Sequence, residues 1–145
     1  MRASSDVDGR YVTIREMTDN DLEEVLTIER ASFPTPWTRS MFQEEFLIPL
    51  CHDLVVVYEE KIVGYISFSI VMDEVHLRNI AVHSDWKRCG IASKMLAKMI
   101  SISSKRDANK VTLEVRESNR AAIELYEKFG FVVKGVRPLY YNETG

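Results

Sequence analysis

Lys87-Arg88-Cys89-Gly90-Ile91-Ala92 stands between a strand-like run, Val75 to Val82, and a helix-like run, Ser93 to Ile102, and its reading decides the fold. Two basic residues, then small ones, lead directly into a helix. Gly90 and Ala92 let the backbone come close to a ligand. The first N–H groups of a helix lack partners inside it, and the helix dipole adds partial positive charge at the same point. These are the requirements of an anion-binding turn. Small residues ahead of a helix also mark ordinary strand-to-helix connections, so the turn takes its meaning from the pattern around it.

Upstream, Met1 to Arg10 is polar and patternless and is expected to be a flexible tail, with one domain over 11–145. Tyr11 to Arg15 alternates, Val12 and Ile14 sharing a face, and predicts a strand. Thr18 and Asp21 form a weak capping box before a helix whose spacing runs through Leu22, Val25, Leu26 and Glu29 to about Ala31. Pro34 and Pro36 break it. Thr38 caps a second helix, with Met41, Phe42 and Phe46 on its apolar side, that ends before Pro49. Leu54 to Tyr58, Ile62 to Val71 and Val75 to Val82, joined by short turns, predict an antiparallel meander.

Downstream, Ile91, Ala92, Met95, Leu96, Met99 and Ile100 recur at three and four, as a helix packed on a core does. Lys110 to Glu117 alternates as a strand. Ser118 or Asn119 caps a further helix that stops at Gly130, and Phe131 to Val136 predicts another strand. Strand, helix, strand from Val75 to Glu117 implies a crossover between parallel neighbours. The expected fold class is α/β: a mixed, mostly antiparallel sheet with one parallel pair and helices on both faces.

At 145 residues the chain makes one domain, and 46% hydrophobic with 28% charged residues is ordinary for a soluble globular protein. A formal net charge of −3 argues against a general binder of nucleic acid or membrane, so an anionic ligand needs a local basic cluster. No apolar run is long enough to span a bilayer. Cys51 and Cys89 lack paired zinc spacing, and His52, His76 and His83 do not pair with carboxylates at helical spacing; no metal site is expected. Two reduced thiols in a cytoplasmic protein is the reading adopted.

Three local patterns, taken with the order of elements, resemble the GCN5-related N-acetyltransferases (GNAT), most closely their ribosomal-protein alanine (RimI) and N-terminal acetyltransferase types. The first is Leu77-Arg78-Asn79-Ile80-Ala81-Val82 followed by the turn, close to the signature R/Q-x-x-G-x-G/A, with Lys87 at the R/Q position. The second is Leu113-Glu114-Val115-Arg116, then Ser118-Asn119, Ala121-Ala122, Leu125-Tyr126 and Gly130-Phe131. The third is Phe33-Pro34 with Arg137 and Tyr140-Tyr141. The resemblance spans about Thr13 to Tyr141. In this family the parallel central pair, here the strand of Ile80 to Val82 and the one carrying Glu114, is splayed. A final strand follows the Tyr-Tyr loop and pairs with the strand at Phe131 to Val136. Here the sequence ends at Asn142-Glu143-Thr144-Gly145, so that final strand is expected to be missing and the open edge to invite self-association.

The resemblance implies acetyl-CoA as cofactor, with no metal. It implies backbone pairing of the pantetheine arm along Ile80, Ala81 and Val82, and a diphosphate held by Lys87, Arg88, Cys89, Gly90, Ile91, Ala92 and Ser93, with Asn119 as a further contact. It assigns Glu114 as general base and Tyr126 as the acid beside the CoA sulfur. Read alone, Glu114 is an exposed strand carboxylate and Tyr126 a core aromatic. Phe33, Pro34, Tyr140 and Tyr141 shape the acceptor groove. The implied acceptor is the α-amine of a protein or peptide, with the ribosome or its proteins as candidate partners. An α-amine, with a pKa of about 7.7–8.0 against about 10.4 for lysine, gives up its proton more readily near neutrality. Acetylation of a small amine (a polyamine or aminoglycoside) and a non-catalytic CoA-binding module are the alternatives. Cys89 has no base at meaningful spacing, which argues against a covalent acetyl-cysteine.

Overall fold

The computed structural model describes residues 3–7, 10–108, 110–113, 124 and 127. Its elements are β1 (Ala3–Val7), β2 (Arg10–Glu16), α1 (Leu22–Ser32), α2 (Arg39–Phe46), β3 (Cys51–Tyr58), β4 (Lys61–Val71), β5 (Glu74–Val82), α3 (Ile91–Ser104) and β6 (Lys110–Leu113). The strands form one sheet in the order β1-β2-β3-β4-β5-β6. The first four neighbour pairs are antiparallel and β5–β6 is parallel, as the crossover predicted.

Two hairpins set the register of the central strands. Tyr58 pairs with Lys61 across Glu59 and Glu60, both at positive φ, the two-residue turn whose twist matches a right-twisted ribbon. Val71 pairs with Glu74 across Met72 and Asp73. Met1 to Arg10, expected as a tail, instead supplies the edge strand β1, whose Ala3 to Val7 pair with Ile14 to Arg10. Backbone pairing onto the free edge of β2 needs no apolar signal in the added strand, which is why composition did not show it.

Alternation along the strands divides the core between two faces. On one face Val12, Ile14, Leu54, Val56, Ile66, Phe68, Val75 and Leu77 pack against Ile91, Met95, Leu96 and Met99 of α3. On the other, Val55, Ile62, Tyr65 and Ala81 meet Leu22, Val25, Leu26 and Ile28 of α1 and Phe42 of α2. Met41, expected on the apolar side of α2, is exposed, and Glu45, one turn from Phe42, is buried in its stead. α2 begins as predicted, with Thr38 Oγ1 accepting from the Met41 N–H at 3.3 Å.

Gly64 in β4 brings α3 onto the sheet. A Cβ there would lie 2.9 Å from Ile91 Cγ2, 3.2 Å from the Ala81 carbonyl oxygen and 3.3 Å from Met95 Cε. Ile91 is the first residue of α3 and β-branched, so it has little rotamer freedom with which to yield. Gly64→Ala is therefore expected to cost about 1–3 kcal/mol of stability by overpacking, measured by urea denaturation.

Candidate active site

β5 pairs with β4 from Glu74 to Val82 and, over its first residues, with β6. Its pairing with β6 runs from Glu74↔Lys110 to Leu77↔Leu113, and among the described residues no strand lies beside Arg78 to Val82 on that side. At the same point the ladder to β4 shifts register: Phe68 pairs with Leu77 and Ser67 with Asn79, so Arg78 is an extra residue. A bulge of this kind re-aims side chains. Leu77 and Ile80 belong to the α3 face, whereas both Arg78 and Asn79 reach residues of the α1–α2 face.

Each of those two side chains ties β5 to one helix. Asn79 Nδ2 donates to Glu29 Oε1 at 2.8 Å. Glu29 is completely buried on α1, and its carboxylate also accepts from Tyr65 Oη at 2.5 Å and from the Trp37 backbone N–H at 2.8 Å. Arg78 pairs with the buried carboxylate of Glu45 on α2, and its guanidinium lies 5.7 Å from the centroid of the Trp37 ring. The Trp37 ring packs on Phe42 at 5.1 Å. The Phe33-to-Trp37 segment is thus fastened at its far end, with Phe33 half-buried and Pro34 exposed.

Asp53 on β3 lies close to Glu45. Burial, then the neighbouring Asp53 charge, pushes Glu45 up to about 7, against the opposing effect of Arg78. Burial likewise raises Asp53. Burial also raises the Cys51 thiol, whose sulfur lies 3.6 Å from Arg78 Nη1.

At the other end of β5 the turn into α3 takes the form its sequence predicts. Gly90 caps α3 in the left-handed region at φ 90°, and Arg88 is left-handed too at φ 64°. A Cβ on Gly90 would meet nothing within 4 Å, so glycine is required here for backbone shape and the space outside is open. Among the described residues no backbone carbonyl accepts from the N–H groups of Arg88 to Ser93. Lys87 and Arg88 are exposed beside them. Unpartnered amides, a helix N-terminus and two cations make a cradle for a diphosphate. The chain's residues fit the phosphate end of CoA.

Ile80, Ala81 and Val82 end β5, the turn residues Lys87 to Ser93 lead from it into α3, and Phe33 packs against the core of the α1–α2 face. Glu114, Asn119, Tyr126, Tyr140 and Tyr141 lie outside the described residues, as do the terminal segment and its expected missing strand. Reading the sequence overlooked the roles of Glu29, Tyr65, Asn79, Arg78 and Glu45. A signal was present for the two acids. Glu29 recurs on the apolar stripe of α1 with Leu22, Val25 and Leu26, and Glu45 stands three residues after Phe42, places where a carboxylate survives only if hydrogen-bonded.

A mixed sheet whose parallel pair β5–β6 is joined through a glycine-capped helix start with two cations beside it suits a transferase that takes an acyl-CoA. The chain belongs to the Acetyltransferase (GNAT) family, whose pattern matches residues 22–131, and it is an acetyl-CoA-dependent N-acyltransferase. A protein of Bacillus subtilis (strain 168), provisionally named a ribosomal protein bS18-alanine N-acetyltransferase, is 35% identical over 133 residues, 91% of this chain and 88% of its own. An N-alpha-acetyltransferase of Saccharolobus solfataricus is 32% identical over 148 residues, 93% of this chain and 89% of its own. The crystal structure of the ribosomal-protein-S18-alanine N-acetyltransferase from Escherichia coli superposes with a TM-score of 0.75 at 32% identity, over 82% of this chain and 76% of that one.

The raised Glu45 carboxyl gives a pH signature of known sign. A carboxyl that holds its proton more tightly folded than unfolded stabilises the fold at low pH and loses that contribution as pH rises. For Glu45 the window is from its ordinary 4.5 to about 7. Urea denaturation of Glu45→Gln between pH 5 and pH 8 is expected to show a flatter loss of stability with rising pH than the unsubstituted protein.

Proposed function

We propose that the protein acetylates the α-amine of a protein or peptide N-terminus by direct transfer from acetyl-CoA. The observation that carries the cofactor side of this reading is the open amide cradle at Arg88 to Ser93, with Lys87 and Arg88 exposed beside it. Names of the relatives favour an N-terminal amine as acceptor, and those acting on ribosomal protein bS18 make a ribosomal protein the acceptor class to test first. With two unpaired cysteines, a cytoplasmic setting suits the reading.

Acetyl-CoA supplies the activated acetyl thioester. Backbone groups of Ile80, Ala81 and Val82 align its pantetheine arm as an added strand, and Lys87 to Ser93 hold the diphosphate, with Asn119 as a further contact. Glu114, which follows directly on β6, takes the proton from the incoming amine through a water. The amine nitrogen bonds to the acetyl carbon as the carbon–sulfur bond breaks, and Tyr126 returns a proton to the sulfur. Phe33, Pro34, Tyr140 and Tyr141 border the acceptor.

Thiol release with peptides differing in their first two residues, set against free polyamines and aminoglycosides, tests this directly. Turnover of peptides is expected, and turnover of free amines alone would replace this reading with the small-amine one. Glu114→Gln and Tyr126→Phe are each expected to lower kcat by roughly 10²–10⁴ while CoA affinity stays unchanged. Undiminished turnover in both variants would remove the assigned roles.

A further inference from the structure

We propose that Glu29 is the positioning residue that couples the acceptor loop to the cofactor strand, so that it governs acceptor binding while touching neither substrate. This rests on the acceptor reading of the Phe33-to-Trp37 segment given above.

Glu29 is 0% exposed, at the end of α1 from which that segment departs. Its carboxylate takes three hydrogen bonds from three different parts of the fold: Trp37 N–H in the loop at 2.8 Å, Tyr65 Oη in β4 at 2.5 Å and Asn79 Nδ2 in β5 at 2.8 Å. Oε2 serves the loop and Oε1 serves the sheet, so a single planar group sets the loop's end relative to β5. Asn79 immediately precedes Ile80 to Val82, the backbone assigned to the pantetheine arm. Moving the carboxylate therefore moves the acceptor wall against the strand that fixes the acetyl group.

All three contacts require Glu29 to accept, and none asks it to donate. That makes Glu29→Gln a sharp probe, because it keeps size and shape but turns one oxygen into an NH2. With Oε1 still facing Tyr65 and Asn79, the new amide nitrogen faces the Trp37 N–H, donor against donor, and the loop is released. A role in general stability alone would lower every activity in step with the folded fraction. A positioning role instead splits the kinetic constants.

The experiment measures steady-state constants for both substrates in Glu29→Gln and in Tyr65→Phe, which keeps the buried ring and removes one donor. Glu29→Gln is expected to raise KM for the acceptor about tenfold to a hundredfold, the range spanned by one hydrogen bond to a charged group, with KM for acetyl-CoA within about twofold. Tyr65→Phe is expected to show the same split, more weakly. Hydrogen exchange of the Trp37 amide, read without any substrate, is expected to quicken in Glu29→Gln. Equal changes in both KM values, an unchanged acceptor KM, or an unchanged Trp37 exchange rate would each overturn the proposal. If Glu29→Gln fails to fold, the split in Tyr65→Phe decides. The unsubstituted protein separates the two ideas: its silence on peptides would refute the peptide reading, and the Glu29 split is then read on whichever amine it turns over, with the Trp37 exchange standing on its own.

Discussion

At Arg78 the ladder between β4 and β5 slips by one residue, and most of the described site follows from that bulge. Up to Leu77 β5 lies between β4 and β6; from Arg78 on, pairing continues only toward β4 among the described residues. An extended ligand that pairs with strand backbone gains affinity as an added strand does. The bulge at Arg78 breaks the alternation of β5. It also spends an extra residue on one face, so that consecutive side chains, Arg78 and Asn79, both serve the helices α1 and α2.

Two carboxylates answer those side chains, in different chemical circumstances. Glu29 receives three donors and stands fully enclosed. Glu45 shares its surroundings with Asp53 and has Arg78 as its cation, and burial with a like charge nearby raises it to about 7. Glu29 joins three parts of the fold through its donors, whereas burial and mutual crowding raise Glu45, and burial raises Asp53. Trp37 lies between the two, its N–H held by Glu29 and its ring packed between Arg78 and Phe42. On the opposite face Gly64 allows Ile91 to approach the sheet, which sets the start of α3 and with it the direction of the free amides.

Much of this was legible in the sequence. Periodicity gave the meander, α3 and the parallel return, because Val, Ile and Leu at period two and the Ile91-to-Met99 stripe leave few other ways to bury apolar surface. The turn at Gly90 was legible because a left-handed cap and a helix N-terminus have a compositional mark. Edge strand β1 left no such mark, since it is held by backbone pairing. The bulge was hidden because Leu77-Arg78-Asn79-Ile80 reads as an ordinary alternation broken once, and a register shift arises from tertiary packing. Glu29 and Glu45 were visible only as charges in the wrong place on an apolar stripe, and their partners come from 36 and more residues away along the chain in the case of Tyr65 and Asn79.

The central claim is that backbone from Ile80 to Val82 and from Arg88 to Ser93 holds acetyl-CoA. Amide exchange across the whole chain, with and without saturating CoA, tests it most directly. Slowed exchange concentrated in those two segments is the predicted result. CoA binding that leaves both segments unchanged and protects amides elsewhere would contradict it.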